Sequence, residues 1–476
     1  MHRAAALCAS LLCACSFPAP PTLLPPPFGP DPARPEAARF FFPTGIAIDS
    51  AADGTARWVV VTNSNADRLY DAGATYSLRA SDLLQYFPPG TAAAGTVPFP
   101  ASALAGTVIT GNYTGPLVLA GSTAYAGSRD TNRLNAVRLD PATGALTCAG
   151  GAGSSGSEDC RAGIDLNNVA HVEGPFGIAT GRIRPPGARD DVDAVMVTSL
   201  VPHIDDVQSG NLFFSSHVAA LTAESTQFLF SATVTDRLSG TGVGAGPMVF
   251  DDRTREAILS GCFTRFGSAS AGGEPSTLKC GFLAGGASLL RFVPMDAGQS
   301  ATSRLYDLGP QIHSTDTTGL ALGDTDLTTG SRTLYMSTRI PDTVVRISVP
   351  ANPAFAPVVE AVATISSQPS QILRLQRPTG SAGTDLLAIT GVGTYETSTT
   401  AGKLVLFDGT LGRVVGQVDG IGDTPFAMAQ FRPIAGDTSA RLAVTLFGSC
   451  SVALIDVPYD RPGNATLRAR IGSCPQ

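Results

Sequence analysis

Short apolar runs recur along this chain in one fixed order, and that order limits the possible folds more than any other feature. A Pro/Gly-type turn opens into a first run. A polar loop leads to a second run ending in Ser or Thr, a third often ends at Asp, and a fourth closes the unit. The first unit reads FPTGIAID from Phe42 to Asp49 and WVVVTNSNAD from Trp58 to Asp67. The second holds TAYAGSRDTN at 123–132 and NAVRLD at 135–140, and the third GPFGIAT from Gly174, AVMVTS at 194–199 and NLFF at 211–214. GPMVFDD (246–252), GLALGD (319–324), PSQILRL (369–375) and TPFAMAQF (424–431) open units four to seven. The runs are rich in Val, Ile, Leu, Phe and Thr and bounded by Gly, Pro, Asn and Asp, which is an all-β signature.

Seven such units predict a seven-bladed β-propeller of four-stranded antiparallel blades. One four-stranded sheet cannot cover both of its faces, so successive sheets must stack and close into a ring. Unit starts lie some 50–75 residues apart, longer than the about 40–50 of a compact blade, so loops are inserted. Six or eight blades, a pair of β-sandwiches and a right-handed β-helix are the competing arrangements. The motifs resemble the YVTN and NHL repeats, which read roughly P-x-G-I-A-V-D, L-Y-V-T-N and V-S-V-I-D. FPTGIAID, VVVTNSNAD and the pair TLYMST (333–338) and TVVRISV (343–349) stand nearest to them, whereas units two and four match weakly. The resemblance spans most of residues 40–476 and implies a propeller.

The N-terminus reads as an address. Met1, His2 and Arg3 give a basic start, and Ala4 to Ala14 carry no charge. This is a signal-peptide pattern, too short for the about 20 residues of a membrane span. Leu12-Cys13-Ala14-Cys15-Ser16 resembles the bacterial lipobox, which implies cleavage before Cys15 and lipid on its thiol. Ser16, where a retention signal would place Asp, points to the outer membrane. Nine prolines between Phe17 and Pro35 favour an extended spacer. The expected organisation is a signal peptide over 1–14, a lipidated Cys with a Pro-rich tether over 15–38, and the propeller over 39–476. The expected location is the bacterial cell envelope, with the lipid as the contact to the membrane.

Nine cysteines occur. Cys8 and Cys13 leave with the leader and Cys15 takes the lipid, so six remain. They fall into neighbouring pairs: Cys148 with Cys160, Cys262 with Cys280, and Cys450 with Cys474. An even count in an exported chain argues for disulfides, and short loops cost the least entropy to close. Cys450 directly precedes SVALIDV and Cys474 follows TLRARI, so that bridge would staple the last two strands of the final blade. No C-x-x-C is present to favour a metal. The net charge of −7 and the lack of a basic cluster argue against nucleic acid.

Catalytic motifs are scarce. No H-E-x-x-H, G-x-S-x-G or phosphate-binding loop occurs, and the four histidines past the leader (His171, His203, His217, His313) lack metal spacing. His203 with Asp205 and Asp206 is the best local cluster, as a general base, a metal ligand or a solvated loop. Asn63, Asn65 and Asp67, and Asp130 and Asn132, put polar side chains at equivalent places in adjacent units, where a propeller gathers its ligand loops. In lactonase-like propellers such residues hold calcium, whose ligands are oxygens. The rival explanation is turn chemistry, because Asn and Asp favour tight turns. Asn112 and Asn464 are formal glycosylation sequons without further context. The function expected is a non-enzymatic binding or scaffold module for protein or glycan partners, with no cofactor. The alternative is a calcium-dependent propeller hydrolase or lyase, which needs three or more Asp, Glu or Asn side chains converging at the channel mouth. A redox propeller is disfavoured, since C-x-x-C-H is absent.

Overall fold

A computed structural model of the chain describes residues 23–28, 38–88, 95–149, 158–201, 203–208, 211–239, 241–243, 246–261, 263–265, 289–296, 303–312, 316–339, 341–365, 367–380, 383–392 and 402–474. Seven four-stranded antiparallel sheets follow one another along the chain. Blade 1 is Pro43–Ser50, Ala56–Asn63, Gly73–Arg79 and Leu104–Thr110; blade 2 is Thr114–Ala120, Thr123–Ser128, Arg133–Leu139 and Leu146–Cys148. Blade 3 is Glu173–Ile183, Val192–Val201, Asn211–Thr222 and Phe228–Ser239, with an extra strand, His203–Gln208, on the third of these. Blade 4 is Met248–Asp251, Glu256–Gly261, Leu289–Pro294 and Arg304–Asp307; blade 5 is Asp316–Thr325, Arg332–Arg339, Thr343–Val349 and Val358–Thr364. Pro369–Arg374, Leu386–Gly391, Lys403–Asp408 and Arg413–Val418 form blade 6, and Pro425–Gln430, Ser439–Leu446, Ser451–Pro458 and Thr466–Ile471 form blade 7. Each first strand touches the first strand of the next blade, and blade 7 meets blade 1. The expected seven-bladed propeller is the fold.

The recurring motif has a structural cause. In six blades the first strand bulges against the second near its start, between Pro43 and Gly45, Thr114 and Leu117, Pro175 and Ile178, Thr317 and Gly319, Pro369 and Gln371, and Pro425 and Met428. A bulge frees a backbone N–H from the ladder, and a buried N–H needs an acceptor. In blades 6 and 7 the hydroxyl near the end of the second strand supplies it: Gln371 N donates to Thr390 Oγ1 at 3.1 Å, and Ala427 N to Thr445 Oγ1 at 2.9 Å. Gly45 is required where it stands, because a Cβ there would collide with Thr62 Oγ1 and Leu117. In blades 6 and 7 the bulged opening and the Thr of the second strand are thus two halves of one device.

The core is divided among the blade interfaces. Seven apolar clusters occur, one for each neighbouring pair of blades. Each buried Leu, Val or Phe contributes about 1.5–3 kcal/mol relative to exposure, so a blade is held mainly by its neighbours. Aromatic residues of the second strands reach across with their polar tips. Trp58 Nε1 donates to Pro141 O at 3.0 Å, Tyr125 Oη to Ala223 O at 2.7 Å and Tyr335 Oη to Asp385 Oδ2 at 2.9 Å.

Ring closure departs from expectation. The segment Arg39–Phe42 is expected to pair as a strand there, but it is not a strand. Phe40 and Phe41 pack instead into the cluster between blades 7 and 1, with Tyr70, Tyr76, Phe87 and Phe431. The pairing comes from an arm of blade 1: Thr96–Val97 lies parallel to the outer strand of blade 7, Thr96 opposite Arg470 and Val97 opposite Ile471. The ring is thus closed by this side-chain cluster together with the short parallel pairing. Cys450 and Cys474 are joined on the same edge, and Cys148 is joined to Cys160. Cys262 and Cys280 lie outside the described residues, as do the leader and Cys15.

The proline-rich segment is also more engaged than a spacer. Pro25 and Pro26 are buried, Tyr76 Oη donates to Pro26 O at 2.5 Å, and Asp71 N donates to Leu23 O at 2.8 Å. Among the described residues no helix is long and apolar enough to cross a membrane.

Candidate functional site

Loops that join second to third strands, and each blade to the next, gather on one face of the ring. Between blades 1, 2 and 3 this face holds a cavity of about 590 Å³ lined by Arg68, Tyr113, Arg129, Asp130, Asn132, Glu173, Gly174 and Leu200. Tyr113 and Gly174 lie at the openings of inner strands, which puts the cavity beside the channel mouth. The volume suits a small ligand.

Local backbone geometry sets the walls. Arg68, Tyr113 and Asn132 have φ of 54°, 50° and 54°, and the neighbouring Asn65 and His171 have 49° and 55°. Left-handed conformations are unfavourable for side chains of this size and persist where the surroundings over-determine them. Here hydrogen bonds do so. Asn65 accepts from Tyr70 N at 3.1 Å and donates to Tyr70 O and Asn112 Oδ1, both at 2.7 Å. Asn132 Oδ1 accepts from Gly174 N at 2.8 Å, tying blade 2 to the first residues of blade 3.

Two guanidinium groups are stacked at the site. Arg68 lies 5.3 Å from the Tyr113 ring centroid and Arg129 5.9 Å from that of Phe176. Arg129 Nε donates to Tyr113 O at 3.2 Å. Burial lowers the Arg129 guanidinium below its usual range, and nearby Tyr113 opposes that. Burial likewise pushes the Asp130 carboxyl above the usual carboxylate range, against the pull of the Asn112 side chain and Arg68. A partly buried guanidinium beside an exposed carboxyl favours a ligand that offers charge and hydrogen bonds to both.

The five residues singled out in the sequence divide. Asp130 and Asn132 line the cavity. Asn63 is buried and structural: its Oδ1 accepts from Phe41 N at 3.1 Å and its Nδ2 donates to Ala74 O at 3.3 Å. Asn65 holds the loop as described, and Asp67 accepts from Leu69 N at 3.1 Å in a turn. Asp130, Asn132 and Glu173 meet the numerical condition set for the enzyme alternative, but they do not share a point. Asn132 is engaged with Gly174, and Glu173 with His203 Nδ1 at 2.8 Å. Among the described residues no three His, Cys, Asp or Glu groups form a metal cluster.

Sequence reasoning places Arg129 in the candidate loop without assigning it a role, and misses Arg68, Tyr113, Glu173 and Leu200. Arg68 and Arg129 each adjoin a residue that was singled out, and Glu173 directly precedes the Gly-Pro-Phe-Gly opening of blade 3, so the signal was adjacency to a repeated turn. The side chains of Asp205 and Asp206, the sequence neighbours of His203, lie outside the described residues; the carboxylate that bonds His203 is Glu173, at 2.8 Å.

The opposite face carries a second cavity of about 590 Å³, with Arg182, Asp191, Asp193, Glu224, Asp252 and Arg255 in its wall. Its charges are mostly paired within the wall: Arg255 bonds Asp191 at 2.7 Å and Asp296 at 3.1 Å, and Arg184 reaches Asp191 at 3.0 Å. It therefore offers a ligand less than the first.

No family model matches the chain, and no curated protein matches it. Solved structures do. Hydrazine synthase from Kuenenia stuttgartiensis is 10% identical at a TM-score of 0.48, over 89% of this chain and 97% of that one. Sqt1 from Saccharomyces cerevisiae is 9% identical at 0.41, over 90% and 88%. A putative 6-phosphogluconolactonase from Bacteroides fragilis is 12% identical at 0.38, over 79% and 82%. Likenesses this weak carry no argument, and the blade order stands without them.

Proposed function

We propose that the chain is a lipid-anchored envelope protein whose propeller is a non-enzymatic binding module for a glycan bearing acidic groups. The observation that carries this reading is the cavity between blades 1, 2 and 3. Planar hydrogen-bonding groups (Arg68, Arg129, Asp130, Asn132) beside the Tyr113 ring suit the alternating polar edges and apolar faces of a sugar. The partly desolvated Arg129 favours a carboxylate on that sugar, since charge-assisted hydrogen bonds are the stronger kind. The lipobox resemblance at Cys15 and the bridges Cys148–Cys160 and Cys450–Cys474 support the envelope location.

Calorimetric titration of the purified chain with uronate-containing oligosaccharides tests the binding. Arg129→Ala is expected to weaken it roughly tenfold, as about 1.4 kcal/mol corresponds to, and the neutral sugar of the same size should bind less well. Equal affinity of parent and variant would remove the cavity from the proposal. Lipid-precursor labelling tests the anchor: Cys15→Ala should abolish labelling and leave the melting temperature unchanged. Labelling that persisted in this variant would refute the anchor.

A further inference from the structure

The charged groups in the wall of the cavity between blades 1, 2 and 3 are Arg68, Arg129, Asp130 and Glu173. With all four ionised the wall is neutral. Among the described residues Arg129 makes one hydrogen bond, from Nε to Tyr113 O at 3.2 Å, so both terminal nitrogens are left for a ligand. The guanidinium lies over Phe176, on the strand that Glu173 opens. Glu173 itself meets His203, Oε1 to Nδ1 at 2.8 Å. We propose that His203 makes the binding of an acidic ligand in this cavity pH-dependent: its protonated ring neutralises Glu173 and admits the ligand's carboxylate beside Arg129. The inference rests on the acidic-glycan reading and adds regulation to it.

The proton has a defined place. An ionised carboxylate only accepts hydrogen bonds, so the Nδ1 that faces Glu173 carries a hydrogen whether the ring is neutral or charged. The titrating nitrogen is Nε2. Imidazole changes charge between pH 5 and 8, and when it does so here the wall and its neighbour pass from neutral to net positive. The His203 and Glu173 side chains are 20% and 29% exposed. They are open enough to exchange protons and covered enough that their charges are not fully screened.

Other imidazoles stand next to the pair. The exposed His171 caps the helix Leu166–Ala170, and its ring centroid is 4.6 Å from that of His203. His217, on the third strand of blade 3, lies 5.7 Å from His171 and has its Nε2 2.9 Å from Ser215 Oγ. Charges on adjacent rings repel, so the three do not titrate independently. His203 is the one bonded to a carboxylate of the cavity wall. The side chains of Asp205 and Asp206, on its own strand, lie outside the described residues. The sign follows from linkage. An anion that binds better beside protonated His203 must draw a proton onto the chain as it binds, and its affinity must rise as pH falls.

Calorimetric titration of the full chain with a uronate oligosaccharide, between about pH 5.5 and 7.5, tests this; the sugar carboxyl stays ionised over that range. Affinity is expected to rise about tenfold toward the acid end. Titrations at about pH 6.5 in two buffers of different ionisation enthalpy should show net proton uptake. The neutral sugar of the same length should show no such rise. His203→Gln keeps a donor for Glu173 and removes the titration, so it should hold the affinity at the parent's low value and abolish the uptake. Glu173→Gln should raise the affinity at neutral pH, and a lower affinity there would overturn the inference. So would a parent affinity that does not change with pH, or proton uptake that His203→Gln leaves intact; in these cases the acidic-glycan reading stands. Absence of uronate binding at every pH overturns that reading and this inference together.

Discussion

The acids on the two faces of the ring differ in what surrounds them. On the face where first strands end, Asp53, Asp140 and Asp326 sit in hairpin turns and accept backbone N–H groups at 2.8 Å from Thr55, Ala142 and Thr328 respectively. Those bonds hold their carboxyls below the usual carboxylate range. On the cavity face Asp130 is raised by burial instead. One residue type therefore does turn chemistry on one face and lines an open cavity on the other. The division is not absolute, since Asp67 on the cavity face also caps a turn. The comparison teaches that an Asp near a loop becomes a site candidate only when the backbone does not claim it.

The faces also differ in how their loops are held, and the largest predicted effect addresses this. Cys450–Cys474 ties the loop after the second strand of blade 7 to the chain end on the cavity face. A bridge spanning 24 residues stabilises by about 3 kcal/mol in the chain-entropy treatment. Cys450→Ser combined with Cys474→Ser should lower the unfolding free energy by about that amount, read by urea titration. A loss below about 1 kcal/mol would show that the aromatic cluster between blades 7 and 1 closes the ring unaided.

A smaller effect is expected on the turn face. Asp408 is buried and accepts from Thr410 N at 2.9 Å, Leu411 N at 2.8 Å and Thr384 Oγ1 at 2.9 Å. Asp408→Ala should cost about 2 kcal/mol, since hydrogen bonds to a charged group are worth more than neutral ones. Asp67→Ala, with its single bond to a turn N–H, should cost less. Equal losses would erase the distinction between a buried turn acid and an exposed one.

These cases show what the sequence could reveal. The blade order was legible because first strands opened by Pro or Gly and second strands ending near Ser or Thr recur in one order along the chain. The Cys450–Cys474 pairing was legible because strand order alone places its ends together. Ring closure by Phe40, Phe41 and Thr96–Val97 was not, since a parallel pairing of two residues has no periodicity to read. The cavity was half legible. Asp130 and Asn132 carry loop signatures, but Arg129 and Glu173 act through burial and stacking, which depend on blades meeting in space.

The last prediction turns on the sign of the Asp130 shift. Its folded-state pKa is raised, so the folded chain binds the proton more tightly than the unfolded one. Below the unfolded value of 3.8 the group is neutral in both states and imposes no penalty. As pH rises through the raised folded value, ionisation in the cleft destabilises the fold relative to the unfolded chain. Asp53, Asp140 and Asp326 run the opposite way: their contribution is present above 3.8 and is lost as pH falls through their depressed values. Asp130→Asn keeps the size and hydrogen-bonding capacity of the side chain and removes the ionisation. The variant should therefore melt slightly higher than the parent at pH 7, and the difference should vanish below pH 3.8. Melting curves taken from pH 3 to 8 measure it. A difference independent of pH would mean that Asp130 behaves as the turn acids do not, through packing alone, and the contrast between the faces would then rest on the arginines rather than on the acid.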